Sequence, residues 1–424
     1  MKAGRQRRSL AAASVGNLCE IYDFAIFGFS IPFLSVHFFP QTDKASALLS
    51  VFAVYATAFV ARPAGGLIFG MMADRIGRVA VLSLSIWLMA LGTMSIGLLP
   101  TYETVGILSP ILLVLCRSLQ GLAMGGQTTG SSSFVLESAP SNMRGRWIGW
   151  TWFYGYSAQV GAAALILFLQ GTLGIEFFSE WAWRLPFLLG GLIAIVGVWL
   201  RRNLEEPEEF RASLQSIEKP VALAEVAKRG RRSIGHVILL QSVLAVGANI
   251  MTAFLYPFLM REAGLPSTSA LLANLIAILI LAIMMPVSGA LSDRFGRKPL
   301  LLAGAASTMV FAYPALMIAS SGSFEAALAG QIILALAVGL YGGTAFTTMP
   351  ELFPTSFRAT GHALSYQTGT VIFGGTAPFV SEWLSRSFGP MAPGTYLACI
   401  GLVGIFAALL IPETNGRELR KNLN

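Results

Sequence analysis

The chain has 424 residues, 55% of them hydrophobic and only 12% charged, and its 29 basic and 21 acidic side chains leave a formal net charge of +8. A soluble domain carries about 25% charged residues, so this composition excludes a water-soluble globule and indicates a protein with many membrane spans. In a soluble chain the basic excess would suggest a nucleic-acid partner; its placement, described below, assigns it to membrane topology instead, and no nucleic acid is expected.

The N-terminus, MKAGRQRRSLAAA, imitates a secretory signal, but the apolar stretch behind it carries Glu20 and Asp23 and runs on to Phe39. A signal core is shorter and uncharged, so an uncleaved first helix is expected. Apolar runs then predict an all-α membrane fold of twelve spans. Their cores are 11–38, 46–72, 79–99, 108–138, 145–172 and 182–200, then 236–260, 270–292, 299–320, 325–352, 359–386 and 394–412. Residues 1–200 and 236–424 thus form two six-helix bundles. The polar segment 201–235 is a linker with room for a short surface helix. Almost every arginine and lysine falls in a segment on the same side as the N-terminus. The other side holds only Lys44, Arg184, Arg261 and Arg386, while Arg62 and Arg117 lie within spans. By the positive-inside rule both termini are cytoplasmic.

Two motifs occur twice. Gly70–Arg78, GMMADRIGR, returns as Gly289–Arg297, GALSDRFGR. Glu137, Pro140 and Arg144 in ESAPSNMR return as Glu351, Pro354 and Arg358 in ELFPTSFR. A unit of about 210 residues is duplicated, and a duplicated apolar bundle is the architecture of a secondary transporter with its site between the halves. In the first motif, Asp74, Arg75, Gly77 and Arg78, with Asp293, Arg294, Gly296 and Arg297, are expected to form a conformational latch. Charge alone would set topology, but topology does not require this spacing. Glu137, Arg144, Glu351 and Arg358 are expected to make ion pairs at inner helix ends. No phosphate-binding loop of the GxxxxGK[ST] type occurs, which removes direct ATP drive. Cys19, Cys116 and Cys399, and His37, His236 and His362, show no ligand spacing. Neither cofactor, metal nor enzymatic constellation is expected.

The loop motif resembles the signature of the major facilitator superfamily. GNLCEIYDFAIFGFSIPFL, ARPAGGLIFG, RSLQGLAMGGQTTG, EWAWRLPFLLG, PELFPTSFRATG and IFGGTAPF resemble its metabolite–proton symporter family, and IPETNGREL resembles a related inner-end motif. The resemblance covers almost the whole chain. It implies uptake across a bacterial inner membrane by carriers of citrate, 2-oxoglutarate, shikimate, proline or betaine, commonly with protons. One departure stands out: relatives commonly carry GGE where this chain has GGQ, at Gln127.

Charges inside the bilayer are costly and mark functional candidates. Asp23 lies about 18 Å along the first helix, with Glu20 on much the same face. Both are candidates for proton coupling, and Arg62 and Arg117 fall near the same depth. Either these four neutralise one another structurally, or Arg117 holds a substrate carboxylate in its planar donor fork. Arg117, Arg62, Asn17, Tyr22, Gln120, Gln127 and Tyr341 are the candidate substrate ligands; Tyr256, Tyr366 and Gln367 are further polar groups in spans. The two arginines favour proton-coupled uptake of a small carboxylate by alternating access. Rivals are a proline or betaine carrier with a cage from Phe24, Tyr22 and Trp152, an uncoupled uniporter or exchanger motivated by Gln127, and a solute sensor. The expected partners are the solute, protons and the lipid bilayer, with the monomer as the working unit. Gln127→Glu is expected to change the pH dependence of transport; an unchanged profile would make Gln127 a packing residue.

Overall fold

In lipid the backbone must satisfy its own hydrogen bonds, and a long apolar run does so as a helix. The computed structural model describes residues 2–40, 44–201 and 223–419. At 2–16, 44–49, 126–129 and some single positions, Asp74 and Arg78 among them, it describes the backbone alone. The first half comprises α1 (Lys2–Phe38), α2 (Lys44–Ile76), α3 (Arg78–Leu98), α4 (Leu108–Ser138), α5 (Arg144–Leu173) and α6 (Leu185–Arg201). In the second half, α7 (Arg231–Asn249) runs through a π-helical turn, Ile250–Phe254, into Leu255–Glu262. It is followed by α8 (Ser267–Phe295), α9 (Arg297–Ala319) and α10 (Phe324–Glu351). Next, α11 (Arg358–Gly369) passes through a second π turn, Thr370–Gly374, to Ala377–Phe388, and α12 (Ala392–Leu410) follows. No strand occurs among the described residues.

Nine helical stretches among the described residues are long and apolar enough to cross a bilayer. Of the other three long elements, α11 is divided by its π turn, while α1 and α6 each include positions outside the fully described residues. The expected span 359–386 is therefore two helical pieces rather than one, and 236–260 begins earlier, at Arg231. A short helix, Leu223–Arg229, precedes α7; residues 202–222 of the expected linker lie outside the described residues.

Without a hydrophobic drive between helices, association rests on close backbone approach and polar contacts. Helices α2 and α4 meet this way: a Cβ on Gly125 would lie 2.1 Å from the carbonyl oxygen of Arg62. That contact sets Arg62 and Arg117 on adjoining helices. A buried apolar cluster runs through the second half and into α5 through Trp147, Ile148, Trp152 and Tyr156. The first half has its own cluster, with Phe27, Phe38, Phe178 and Trp183 fully enclosed. Both repeated loops turn at a glycine of positive φ, 115° at Gly77 and 99° at Gly296, as the expected tight turn requires. Gly125→Val drives two methyl groups into backbone, and overpacking of this kind costs about 1–3 kcal/mol or more. A lower yield of monodisperse protein on size exclusion and a lower unfolding midpoint are expected.

Candidate functional site

Helix α1 faces α3 and α4 through Asp23, which is 2% exposed. Arg117 of α4, fully buried, stands 3.7 Å from its carboxylate. Gln120, one turn further along α4, donates from Nε2 to Asp23 Oδ1 at 2.7 Å and accepts from Arg117 Nη1 at 3.0 Å. The Thr93 hydroxyl of α3 donates to the same Asp23 oxygen. The charge thus has three polar neighbours in a setting where an isolated ion would cost several kcal/mol. Aromatic faces complete the enclosure. The Arg117 guanidinium lies 4.8 Å from the Phe24 ring centroid, 4.3 Å from Phe27 and 5.2 Å from Tyr55. Arg62 of α2 lies 4.8 Å from the same Phe24 ring and 4.9 Å from Phe59. Arg117 Nε and Nη2 and Arg62 Nε have no hydrogen-bond acceptor among the described residues.

Glu20 and Asp23 share α1 but do not face the same neighbours. Three residues advance a helix by roughly 300°, which leaves them about 60° apart. Asp23 turns into the first half, while Glu20 lies within electrostatic reach of Tyr366 on α11, as does Arg62. That region joins the halves. Trp152 of α5 stacks on Phe346 of α10 with centroids 3.4 Å apart, and Tyr156 and Tyr366 flank the pair. Gln367 donates from Nε2 to the Gly125 carbonyl at 3.0 Å. Trp152 Nε1 is buried there with no hydrogen-bond partner among the described residues.

The other expected ligands divide. Asn17 donates to the Thr151 carbonyl at 2.8 Å, and Tyr22 donates to the Pro186 carbonyl at 3.1 Å. Tyr341 donates to the Leu240 carbonyl at 3.0 Å. These contacts tie helices together and occupy each named donor. The expected cage of Phe24, Tyr22 and Trp152 is corrected accordingly: Phe24 pairs with Tyr55 and Phe59, Tyr22 turns to α6, and Trp152 joins Phe346. The side chain of Gln127 lies outside the described residues. Sequence reading missed Thr93, Tyr55 and Phe59, each an uncharged side chain on a helix with nothing local to distinguish it.

At the end of the bundle that carries the termini, Asp293 reaches into the opposite half. Its carboxylate accepts from the backbone N–H groups of Gly145 and Arg146, both at 2.8 Å. These are free amides of the α5 N-terminus, where a carboxylate is favoured by both hydrogen bonding and the helix dipole. The backbones nearly touch beside it: a Cβ on Gly289 would lie 2.1 Å from the Gly145 carbonyl. Arg297 donates to Asp293 at 2.8 Å and to Glu351 at 3.2 Å. Asp293 and Arg297 therefore join where the latch was expected. Arg75 and Arg294 are exposed, and the side chains of Asp74 and Arg78 lie outside the described residues. The second inner-end pair differs from the local one expected. Glu351 takes Arg297 instead of Arg358, and Arg358 crosses to Glu137 of the other half at 2.6 Å, both side chains fully buried. Each glutamate closes a helix and the following arginine opens the next, so the turn separates neighbours in sequence while packing supplies a partner from elsewhere.

Sequence reading also missed the part played by the strap after α12. Glu413 accepts from the N–H groups of Arg297 at 2.9 Å and Lys298 at 3.0 Å, capping α9. Thr414 donates to Glu351 at 2.6 Å, Asn415 Nδ2 to the Asp293 carbonyl at 3.2 Å, and Arg144 to the Arg417 carbonyl at 2.8 Å. The run PETNGRE was legible as an inner-end motif but not as a tie between halves. Burial opposes the Glu413 charge, but the N–H groups of Asn415, Arg297, Lys298 and Thr414 outweigh it and hold the carboxyl below its usual range.

A helical bundle with a repeated loop motif, a charged, enclosed centre and carboxylate ties at one end has the character of a membrane transporter. The family model for the Major Facilitator Superfamily matches residues 13–366 and 238–423, and the chain belongs to that family. It is 33% identical over 428 residues to the proline/betaine transporter of Salmonella typhimurium, covering 98% of this chain and 85% of that protein. It is 32% identical over 428 residues to the glycine betaine/proline/ectoine/pipecolic acid transporter OusA of Dickeya dadantii, with the same coverage. Among solved structures, the proton:xylose symporter XylE bound to 6-bromo-6-deoxy-D-glucose superposes with a TM-score of 0.81 at 19% identity, covering 99% of this chain and 98% of that one. The inward-open form of XylE from E. coli gives 0.62 at 20% identity, covering 96% and 97%. These structures share the fold.

Asp293→Asn removes the charge from the α5 N-terminus, a loss of roughly 1–2 kcal/mol. Backbone amides at Gly145 and Arg146 are then expected to exchange hydrogen about 5–30-fold faster, read by mass spectrometry; unchanged exchange would remove Asp293 from the closure. Glu413 contributes stability in full above its ordinary pKa and loses it as pH falls through its depressed folded value. Glu413→Gln should accordingly lower the unfolding midpoint at neutral pH, with the difference from the parent shrinking in acid.

Proposed function

We propose that the chain is a proton-coupled carrier of a small zwitterion of the proline or betaine class, working by alternating access in a bacterial inner membrane. The observation that carries this reading is the balance of charge at the centre. Two arginines, Arg62 and Arg117, and two buried acids, Asp23 and Glu20, lie within the spans, and Arg117 has Asp23 at 3.7 Å. The earlier expectation of an anionic carboxylate treated Arg117 as surplus positive charge; paired with Asp23 it is not. A solute that adds no net charge suits such a site, whereas an anion would leave uncompensated charge in a medium of low dielectric. In this reading the solute carboxylate takes donors left over on Arg117 and Arg62, both of which lie against the Phe24 ring. The Trp152, Phe346, Tyr156 and Tyr366 cluster beside Glu20 offers faces to a quaternary or secondary ammonium. The relatives named for proline and betaine support the same choice.

In this reading Asp23 or Glu20 takes up the proton, and protonation releases the Arg117 contact so that the loaded halves can reorient. Asp293, Arg297, Glu137 and Arg358 close the mouth at the terminal end, and the excess of basic residues there supports a cytoplasmic orientation for it and both termini. One chain supplies every group named, so a monomer suffices.

Counterflow in proteoliposomes tests the solute. Vesicles loaded with unlabelled glycine betaine or proline are expected to accumulate the matching labelled compound without an ion gradient. Accumulation with citrate or 2-oxoglutarate alone would overturn the zwitterion reading. An imposed inward proton gradient is expected to raise net uptake; indifference to it would sink the coupling. Arg117→Lys keeps the charge but loses the fork, and about a tenfold or greater rise in apparent KM is expected.

A further inference from the structure

We propose that a cavity at the terminal end is a binding site for a phosphate-type anion. The cavity, of about 330 Å³, lies between the short helix Leu223–Arg229, the start of α7, the start of α5 and the strap after α12. Arg144, Arg229, Arg232 and Arg417 line it, together with His236 and Glu418. Glu351 also reaches its wall but is committed to Arg297 at 3.2 Å and to Thr414 at 2.6 Å. Arg229 has Glu225 as a partner on its own exposed helix. Among the described residues lining the cavity, Glu418 is then the carboxylate not already committed to a partner outside it.

Arg144 is only 4% exposed, while Arg229, Arg232 and Arg417 are exposed and reach the same cavity from its rim. An anion between these cations offsets their like charge. Planar forks arriving from several directions match tetrahedral oxygens better than a planar carboxylate, and the volume admits a phosphate with its water or a phosphate-bearing headgroup. Three separate segments supply the cations. Arg144 belongs to the first half, Arg229 and Arg232 precede or open the second, and Arg417 closes it. The anion therefore binds most tightly when the halves are together at this end, and it favours that state by its difference in affinity. None of this depends on which solute is carried.

The shared chemistry has two sources, inorganic phosphate from solution and the headgroup of an acidic phospholipid at the membrane surface. Purified transporter is titrated with inorganic phosphate against chloride of equal ionic strength, with the unfolding midpoint as readout. In parallel, retained phosphatidylglycerol is counted by native mass spectrometry, with phosphatidylcholine as control. The variant is Arg229→Gln/Arg232→Gln, with Arg232→Gln alone as a milder form and Arg231→Gln, outside the cavity lining, as control. Each lost arginine is expected to weaken binding roughly fivefold. A phosphate-dependent rise that the cavity variants lose and Arg231→Gln keeps supports the site with a soluble ligand. Retention of phosphatidylglycerol that they lose, without a phosphate effect, supports it with a lipid headgroup. Equal behaviour of parent and cavity variants in both measurements overturns the proposal.

Discussion

A charge buried in a bundle that crosses lipid must find its counter-charge inside the protein, because no water will supply it. Much of this molecule follows from that constraint. Asp23 and Arg117 meet in the first half with Gln120 and Thr93 as shared hydrogen-bond partners. Glu137 and Arg358 meet between halves with both side chains fully enclosed. The two pairs have different consequences. A pair within one half can persist however the two halves are disposed, until a proton on the acid removes it. A pair between halves exists only while they are together, so its energy belongs to one conformation.

The terminal end adds a second device, the capture of free helix N-termini by carboxylates. Asp293 takes the first amides of α5 from across the interface, and Glu413 takes those of α9 from the strap. In each case the helix dipole and hydrogen bonds act together. The strap links the two captures, since Asn415 and Thr414 touch Asp293 and Glu351 while the Arg417 carbonyl receives Arg144. Opening this mouth must break the α5 contact and disturb the strap in one movement. Such coupling makes closure cooperative, a property that a scatter of surface ion pairs, each worth at most about 1 kcal/mol, would not provide.

The fold was largely legible in the sequence, the site only in part. Apolar runs, the repeated GMMADRIGR and GALSDRFGR, and the one-sided arginines are local or periodic signals, and they identified the helical bundle and its duplication. Gly77 and Gly296 stood where a turn needed them. The π turns in α7 and α11 were not legible, because one extra residue in a helical turn leaves no mark in an apolar run. Pairing across the halves was hidden for another reason. A repeat states that two surfaces are alike, not which residues meet, so Glu351 and Arg358 read as neighbours although Arg297 and Glu137 are their partners. The four intramembrane charges were legible, and their mutual neutralisation was one of two readings, but which arginine meets which acid was not, and the Arg117–Asp23 contact weighs against surplus positive charge.

Charge balance also links solute choice to movement. An anionic solute would break the Asp23–Arg117 contact by competing for the arginine, leaving Asp23 stranded unless a proton arrived with it. A zwitterion brings its own counter-charge. Its carboxylate can engage the free donors of Arg117 and Arg62 while its cationic end rests on the aromatic cluster beside Glu20. The loaded site is then as neutral as the empty one, and the halves can exchange access without moving unpaired charge through lipid. Proton binding at Asp23 or Glu20 upsets that balance by one unit. In such a carrier the proton, not the solute, supplies the electrical asymmetry that gives transport its direction.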